Sequence, residues 1–295
     1  VPQAVQNQAT DLSGVRVRAR TTELFGTAEV ATWLVDVFTA PDYRPPVLPK
    51  VATDLLALTR NPQVRLSEVK RLLERDPVIT ASMLRITNSA ASRPGQEVST
   101  IDEALVRLGL RRITEVLLEA ALSLKIFCAA GYEPLMESLR VHSSATAKVA
   151  REIARYVGVD PSHAFLGGLL HDIGIAVAII ALSEHFDANC RPGLAEAWPA
   201  VLEQHEQAGC LVQQSWRLPA AYTPVFAHHH EPRLGRGSAL TAVVSLADAL
   251  ASEFGLGVTD EHGADAIGAA QDALGLDDGL LARIRADSRN ELIGA

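Results

Sequence analysis

Three cysteines in 295 residues, Cys128, Cys190 and Cys210, share no CxxC spacing. That argues against a disulfide framework, and it points to reduced, buried thiols in a reducing, cytoplasmic compartment. Positive charge is also short. The formal net charge is −8, which argues against a DNA-binding surface. No continuous apolar run approaches the ~18–20 residues of a membrane span, the longest being Ile175–Leu182. No membrane association is expected. The basic residues Arg16, Arg18 and Arg20 are followed by no apolar core, so no secretory leader is read. The chain begins with Val1 rather than Met, which leaves room for sequence upstream. Strand-like alternation and fixed-period repeats are absent as well.

What remains is helical patterning with clear punctuation. Residues 1–22 are polar and irregular and read as a flexible arm. Leu24, Val30, Trp33, Leu34, Val37 and Phe38 then mark a helix, and Pro41, Pro45, Pro46 and Pro49 break the chain. Short helices follow over 51–59 and 66–73, the second with Ser67 as its expected cap. Asp76-Pro77 and Asp160-Pro161 both look like helix starts, because Asp accepts from free amides and Pro suits the first turn. Thr100 and Glu103 form a capping-box pattern, and Gly109 is expected to bend the path before a helix over 111–129. Helical segments are also expected over 198–216, 219–230, 240–254, 260–274 and 278–285.

The chain is organised around Ala164–Gly174, AFLGGLLHDIG. It is apolar except for the adjacent His171 and Asp172. Burying that pair without partners would cost several kcal/mol, about 2–7 for each polar group. A divalent ion is the simplest compensation, and imidazole and carboxylate are both suitable ligands. Other helices carry matching residues. His142 borders a stripe formed by Val141, Ala145 and Val149, and His205 precedes Ala208, Val212 and Trp216 at the same spacing. His229 and His230 end a helix, and Asp248 interrupts the apolar SLADALA. One histidine on an apolar face is usually a satisfied core residue. A set of them on successive helices around a His-Asp pair reads as a site. His163, His185 and His262 fit no pattern.

The order His142, His171-Asp172, Asp248 resembles the signature of the HD superfamily of metal-dependent phosphohydrolases. LRITNSA at 84–90, STIDEALVRLGLRRI at 99–113, LGGLLHDIG at 166–174, and the stretch from Trp216-Arg-Leu-Pro219 to His229-His-Glu-Pro232 narrow the resemblance. They are similar to the HDOD domain, a bacterial relative of the HD-GYP cyclic-di-GMP phosphodiesterases, over about Pro45 to Gly255.

The resemblance implies an all-α fold of two packed helical subdomains, 23–130 and 131–255, the second an HD-like bundle, with a helical extension over 256–295. It implies a metal set of His142, His171, Asp172 and Asp248, extended by His205, His229 and His230 for a second ion. One or two ions of iron or manganese are expected. Three departures separate the chain from the HD-GYP enzymes. Ile175 stands where their lysine meets phosphate, Ser138 stands in place of a third-metal glutamate, and Pro232-Arg-Leu-Gly-Arg236 replaces the GYP loop. The expected function is therefore a non-catalytic bacterial signalling or scaffold module that binds a protein partner. The alternative is a metal-dependent phosphohydrolase acting on a nucleotide or cyclic dinucleotide. A third reading has the pocket bind a nucleotide without cleaving it, with Arg191, Arg233 and Arg236 as phosphate contacts.

Overall fold

A computed structural model describes residues 26–59, 65–90, 98–231, 238–258 and 264–293. Among these the protein is helical, with no strand. The thiols are free but not buried as expected: Cys128 and Cys190 are exposed and Cys210 is half-buried. The expected arm over 1–22 lies outside them, as do Arg233 and Arg236.

The N-terminal half contains α1 (Thr27–Thr39), α2 (Lys50–Thr59), α3 (Leu66–Leu73), α4 (Pro77–Ala90) and α5 (Ile101–Lys125). The Thr100–Glu103 capping box forms as its spacing predicts: the Glu103 amide donates to Thr100 Oγ1 and the Thr100 amide to Glu103 Oε2, both at 3.2 Å. Asp76 accepts from the Val78 and Ile79 amides at 3.1 Å. Ser67 is not a cap. Helix α3 already begins at Leu66, after Arg65 in extended conformation, so Ser67 lies inside its first turn. Asn88 of the LRITNSA segment bonds both backbone groups of Val98, at 2.8 and 2.9 Å, and so closes the connection into α5. Gly109, at φ 71, kinks α5 as expected, but the helix stops at Lys125 rather than near 129.

The second half contains α6 (Glu133–Val157), α7 (Pro161–Leu170), α8 (Ile173–His185), α9 (Leu194–Ser215), α10 (Thr223–His228), α11 (Ala239–Ala251), α12 (Ala264–Leu274) and α13 (Asp278–Ile293). Asp160 caps α7 through the Ser162 and His163 amides at 2.7 and 3.2 Å. The helix expected over 219–230 is a 3-10 turn at 220–222 followed by the short α10. Helix α13 runs eight residues past the expected end at Arg285.

Packing ties the halves together. One core runs from Val30 of α1 through α5 to Phe226 of α10. Helix α1 lies against α9, and its Trp33 ring sits 4.7 Å from His185 and 5.3 Å from Phe186 at the end of α8. The Trp216 indole donates to the Pro46 carbonyl at 2.9 Å. A second core joins Val149 and Ile153 of α6 to Val243 and Leu246 of α11 and Leu281 and Ile284 of α13. Buried Arg151 of α6 bridges Glu115 of α5 and Glu291 of α13.

Two stretches reach the length and mean apolarity of a membrane span, although the first is interrupted by His171 and Asp172. Within Pro161–His185 an 18-residue window reaches a mean hydropathy of 2.1, but 94% of it is buried inside the protein. The other, Ala239–Leu256, is 61% buried. This apolar surface packs against neighbouring helices.

The glycines of LGGLLHDIG set the spacing of those helices. A Cβ on Gly168 would stand 2.8 Å from the Thr146 carbonyl of α6. A Cβ on Gly174 would stand 1.8 Å from the His205 carbonyl of α9. Only hydrogen allows α7 and α8 to approach both partners so closely. Gly174→Ala is expected to cost ~3 kcal/mol, because a backbone cannot yield as a side-chain end can. Gly268→Ala in α12, with nothing within 4 Å of the new methyl, should be neutral or stabilising. Thermal melts of the two variants test this; equal melting temperatures would contradict it.

Candidate metal centre

All seven residues singled out in the sequence meet between α6, α7, α8, α9, α10 and α11. His142 comes from the middle of α6. His171 and Asp172 occupy the break between α7 and α8. Asp172 has φ −97 and ψ 15, outside the helical region, a conformation frequent at functional sites. His205 projects from α9, His229 and His230 follow α10, and Asp248 lies in α11. Six of the seven are at most 5% exposed. His230 is exposed at the rim.

Four imidazoles are oriented in the same way. The Nδ1 of His171 meets the Gly168 carbonyl at 2.8 Å, His205 that of Leu202 at 2.5 Å, and His229 that of Val225 at 2.9 Å. His142 Nδ1 meets the Leu256 carbonyl at 2.9 Å. A carbonyl can only accept, so each Nδ1 carries the proton, and each Nε2 in the neutral ring is a bare acceptor. Those Nε2 atoms face inward. His142 and His171 approach at 3.3 Å, and His205 and His230 at 3.1 Å.

The carboxylates face the same atoms. Asp248 Oδ1 is 3.1 Å from His142 Nε2 and 3.7 Å from His171 Nε2. Asp172 bridges two groups: Oδ2 lies 3.3 Å from His171 and 3.6 Å from His142, while Oδ1 lies 3.1 Å from His229 and 3.9 Å from His205. The side chains thus divide into a first set, His142, His171 and Asp248, and a second, Asp172, His205, His229 and His230.

Acceptors facing acceptors in a buried space repel unless a cation or extra protons lie between them. This donor set fits divalent ions. It offers nitrogen and oxygen ligands, with each oriented ring held by a carbonyl on its far side, as metal-binding histidines commonly are. Without an ion, protons must do the work. Burial opposes charge on His171, but Asp172 and Asp248 outweigh it and hold its pKa well above the usual histidine value. Burial likewise opposes charge on Asp172, yet His171 and His229 hold its carboxyl well below the usual range. Desolvation pushes His229 down, against the pull of Asp172. His230 is also pushed down, by desolvation and then by His229, despite the exposed part of its ring.

The family follows from comparison. The HDOD domain pattern matches residues 46–232. The chain belongs to the HDOD domain family. An uncharacterized protein of Treponema pallidum is 24% identical over 226 residues, covering 73% of this chain and 41% of that protein. The chain therefore spans about two fifths of that relative's length. Among solved structures, an HDOD domain protein of unknown function from Geobacter sulfurreducens aligns with TM-score 0.66 at 22% identity, covering 89% of this chain and 97% of that one. A Shewanella amazonensis protein provisionally named a metal-dependent phosphohydrolase aligns with TM-score 0.64 at 19% identity, covering 89% and 99%. These likenesses show a shared all-α HDOD fold. Asp248, already singled out in the sequence, lies beyond the matched family span, and the geometry brings it to the centre.

The departures from the HD-GYP enzymes also have places. Ile175 is 2% exposed in the core at the start of α8. Ser138 is exposed one turn before His142, its hydroxyl bonded to the Pro134 carbonyl at 3.0 Å. Arg191 is not a free phosphate ligand: it donates to the Ser183 carbonyl at 3.2 Å and lies over the Tyr132 ring. Sequence reasoning missed the Leu256 carbonyl, for which no local pattern exists. It also missed the carbonyls behind His171, His205 and His229, which are three or four residues back and legible once the helices are assigned.

The sign of the pH dependence follows. A histidine whose pKa rises on folding adds stability that is present below its unfolded pKa of about 6.5 and lost as pH rises through the folded value. Protein kept in a chelator should therefore melt at progressively lower temperature on the alkaline side of neutrality. Added Mn2+ should replace the proton and flatten that slope. Melting curves from pH 6 to 9 check this, and a slope unchanged by Mn2+ would count against ions in the set.

Proposed function

We propose that this chain is an HDOD signalling module whose helical bundle is held together by a two-ion metal centre, and that it does not turn over a phosphodiester. The inward-facing Nε2 atoms, bare acceptors in two adjoining sets bridged by Asp172, carry the metal reading. Iron or manganese suits the ligands. Paired ions in such a centre supply Lewis acidity that can activate water and clamp a phosphate. This chain's own residues offer that chemistry little help. Ile175 puts an apolar, buried side chain where the HD-GYP enzymes use a cation, so nothing there balances charge growing on a phosphoryl oxygen. Burial of six of the seven ligand-type residues favours a structural role. A protein partner for the N-terminal half is part of the proposal, supported by Val78 on α4 and Val106 on α5, exposed at 62% and 85%.

The second reading, a metal-dependent phosphohydrolase acting on a nucleotide or cyclic dinucleotide, is favoured by one observation. The second set is complete and opens to solvent at His230.

Elemental analysis of protein purified without chelator should find close to two equivalents of iron or manganese. Stripping them should lower the melting temperature by about 10 °C. A panel of cyclic dinucleotides should yield no product. Metal-dependent turnover that disappears in His171→Ala would establish the hydrolase instead. Metal-free protein whose melting ignores added ions would end the metal reading.

A further inference from the structure

Among the four Nδ1 bonds that orient the centre, one is unlike the rest. His171, His205 and His229 bond carbonyls three or four residues back, so their own helical segments orient them. The His142 bond to Leu256 spans 114 residues. The direction of that ring depends on where the turn after α11 lies.

That turn is unusual. Residues 252–256 form a single π turn, with Gly255 at φ 81. Single π turns re-aim the backbone and recur at functional sites. Here the re-aimed group is the carbonyl that accepts from His142. The turn also continues directly from α11, which carries Asp248.

Helix α13 grips the turn from outside. Arg285 Nε lies 3.0 Å from one Glu253 carboxylate oxygen and 3.1 Å from the other. The Arg289 guanidinium lies 5.0 Å from the centre of the Phe254 ring. The same helix is anchored on α6, which carries His142: Arg151 bonds Glu291, the Tyr156 hydroxyl donates to Asp287, and Leu281 and Ile284 are buried. Helix α13 therefore fixes both the element that bears the ring and the turn that supplies its acceptor. The rings of His205 and His229 take their carbonyls elsewhere.

We propose that α13 sets the metal affinity of the His142, His171 and Asp248 set by holding the 252–256 turn through Arg285 and Arg289. Both arginines are positioning residues that act through Leu256 on His142. Linkage makes the effect reciprocal: an ion in this set tightens the docking of α13, so α13 reports the metal state at the surface. A signalling module needs such an output element. The inference rests on the two-ion reading above.

The test uses Mn2+, with free ion followed by electron paramagnetic resonance. Wild type is expected to bind two ions, one of which is lost in His142→Ala. In the double variant R285A/R289A that same ion should bind about tenfold more weakly and the other with unchanged affinity. R285K/R289K keeps both cations and should recover most of the loss. A general loosening of the fold would weaken both ions together. Equal weakening of both, or no change in either, overturns the coupling while leaving the two-ion reading intact. A wild type that binds no Mn2+, or whose ions all survive His142→Ala, ends that reading and the coupling with it. Hydrogen exchange over 278–293 gives a readout independent of affinity. Added Mn2+ should slow exchange there in wild type and not in R285A/R289A, and identical protection with and without the ion would refute the reciprocal link.

Discussion

The mutual repulsion of buried acceptors at the centre of the bundle is the constraint on which the rest of the structure depends. Asp172 and Asp248 face the Nε2 atoms of His142, His171, His205 and His229, and the four Nδ1 protons of those rings are committed to carbonyls. Such an arrangement is unfavourable unless positive charge lies within it. The helices that bring these groups together are among the most buried in the protein, so the cost has to be met by packing around them and by whatever cation the centre holds.

That packing depends on atoms that are missing. Gly168 and Gly174 flank His171 and Asp172, and each lets one helix backbone press on another. The close approach of α8 to α9 brings His205 toward Asp172, and that of α7 to α6 brings His171 toward His142. The motif LGGLLHDIG thus combines two functions in nine residues. Its polar pair supplies ligands, and its glycines bring up the helices that carry the others. The halves of the chain share in the support, since α1 packs on α9 and Arg151 links α5 to α13.

Much of this was legible in the residues. Asp160-Pro161 and Thr100-Glu103 announce helix starts because their caps are satisfied within a few residues, and both form as read. The seven ligand-type side chains stood out because a polar group on an apolar helical face needs a partner. Where the reading erred, the deciding contact was distant or the choice was close. Ser67 lost its capping place to a helix that starts two residues earlier than a cap at Ser67 would allow. Arg285 did not end α13, because Ile284 and Ser288 are buried and carry the helix onward against α6. Arg191 looked available for phosphate, yet its guanidinium is engaged by the Ser183 and Phe186 carbonyls at the end of α8 and by the Tyr132 ring.

The sequence by itself determined the helical class, most helix starts, and the identity of the side chains that meet at the centre. Each of these depends on spacing along one helix or on a cap a few residues away, and local chemistry suffices for both. Only the tertiary structure decided how the ligands divide into two sets, that Asp172 bridges them, and that a π turn beyond α11 orients His142. Those relations join residues as far as 114 positions apart. They follow from how closely helices can approach and from which carbonyl a turn presents, and no local pattern encodes either.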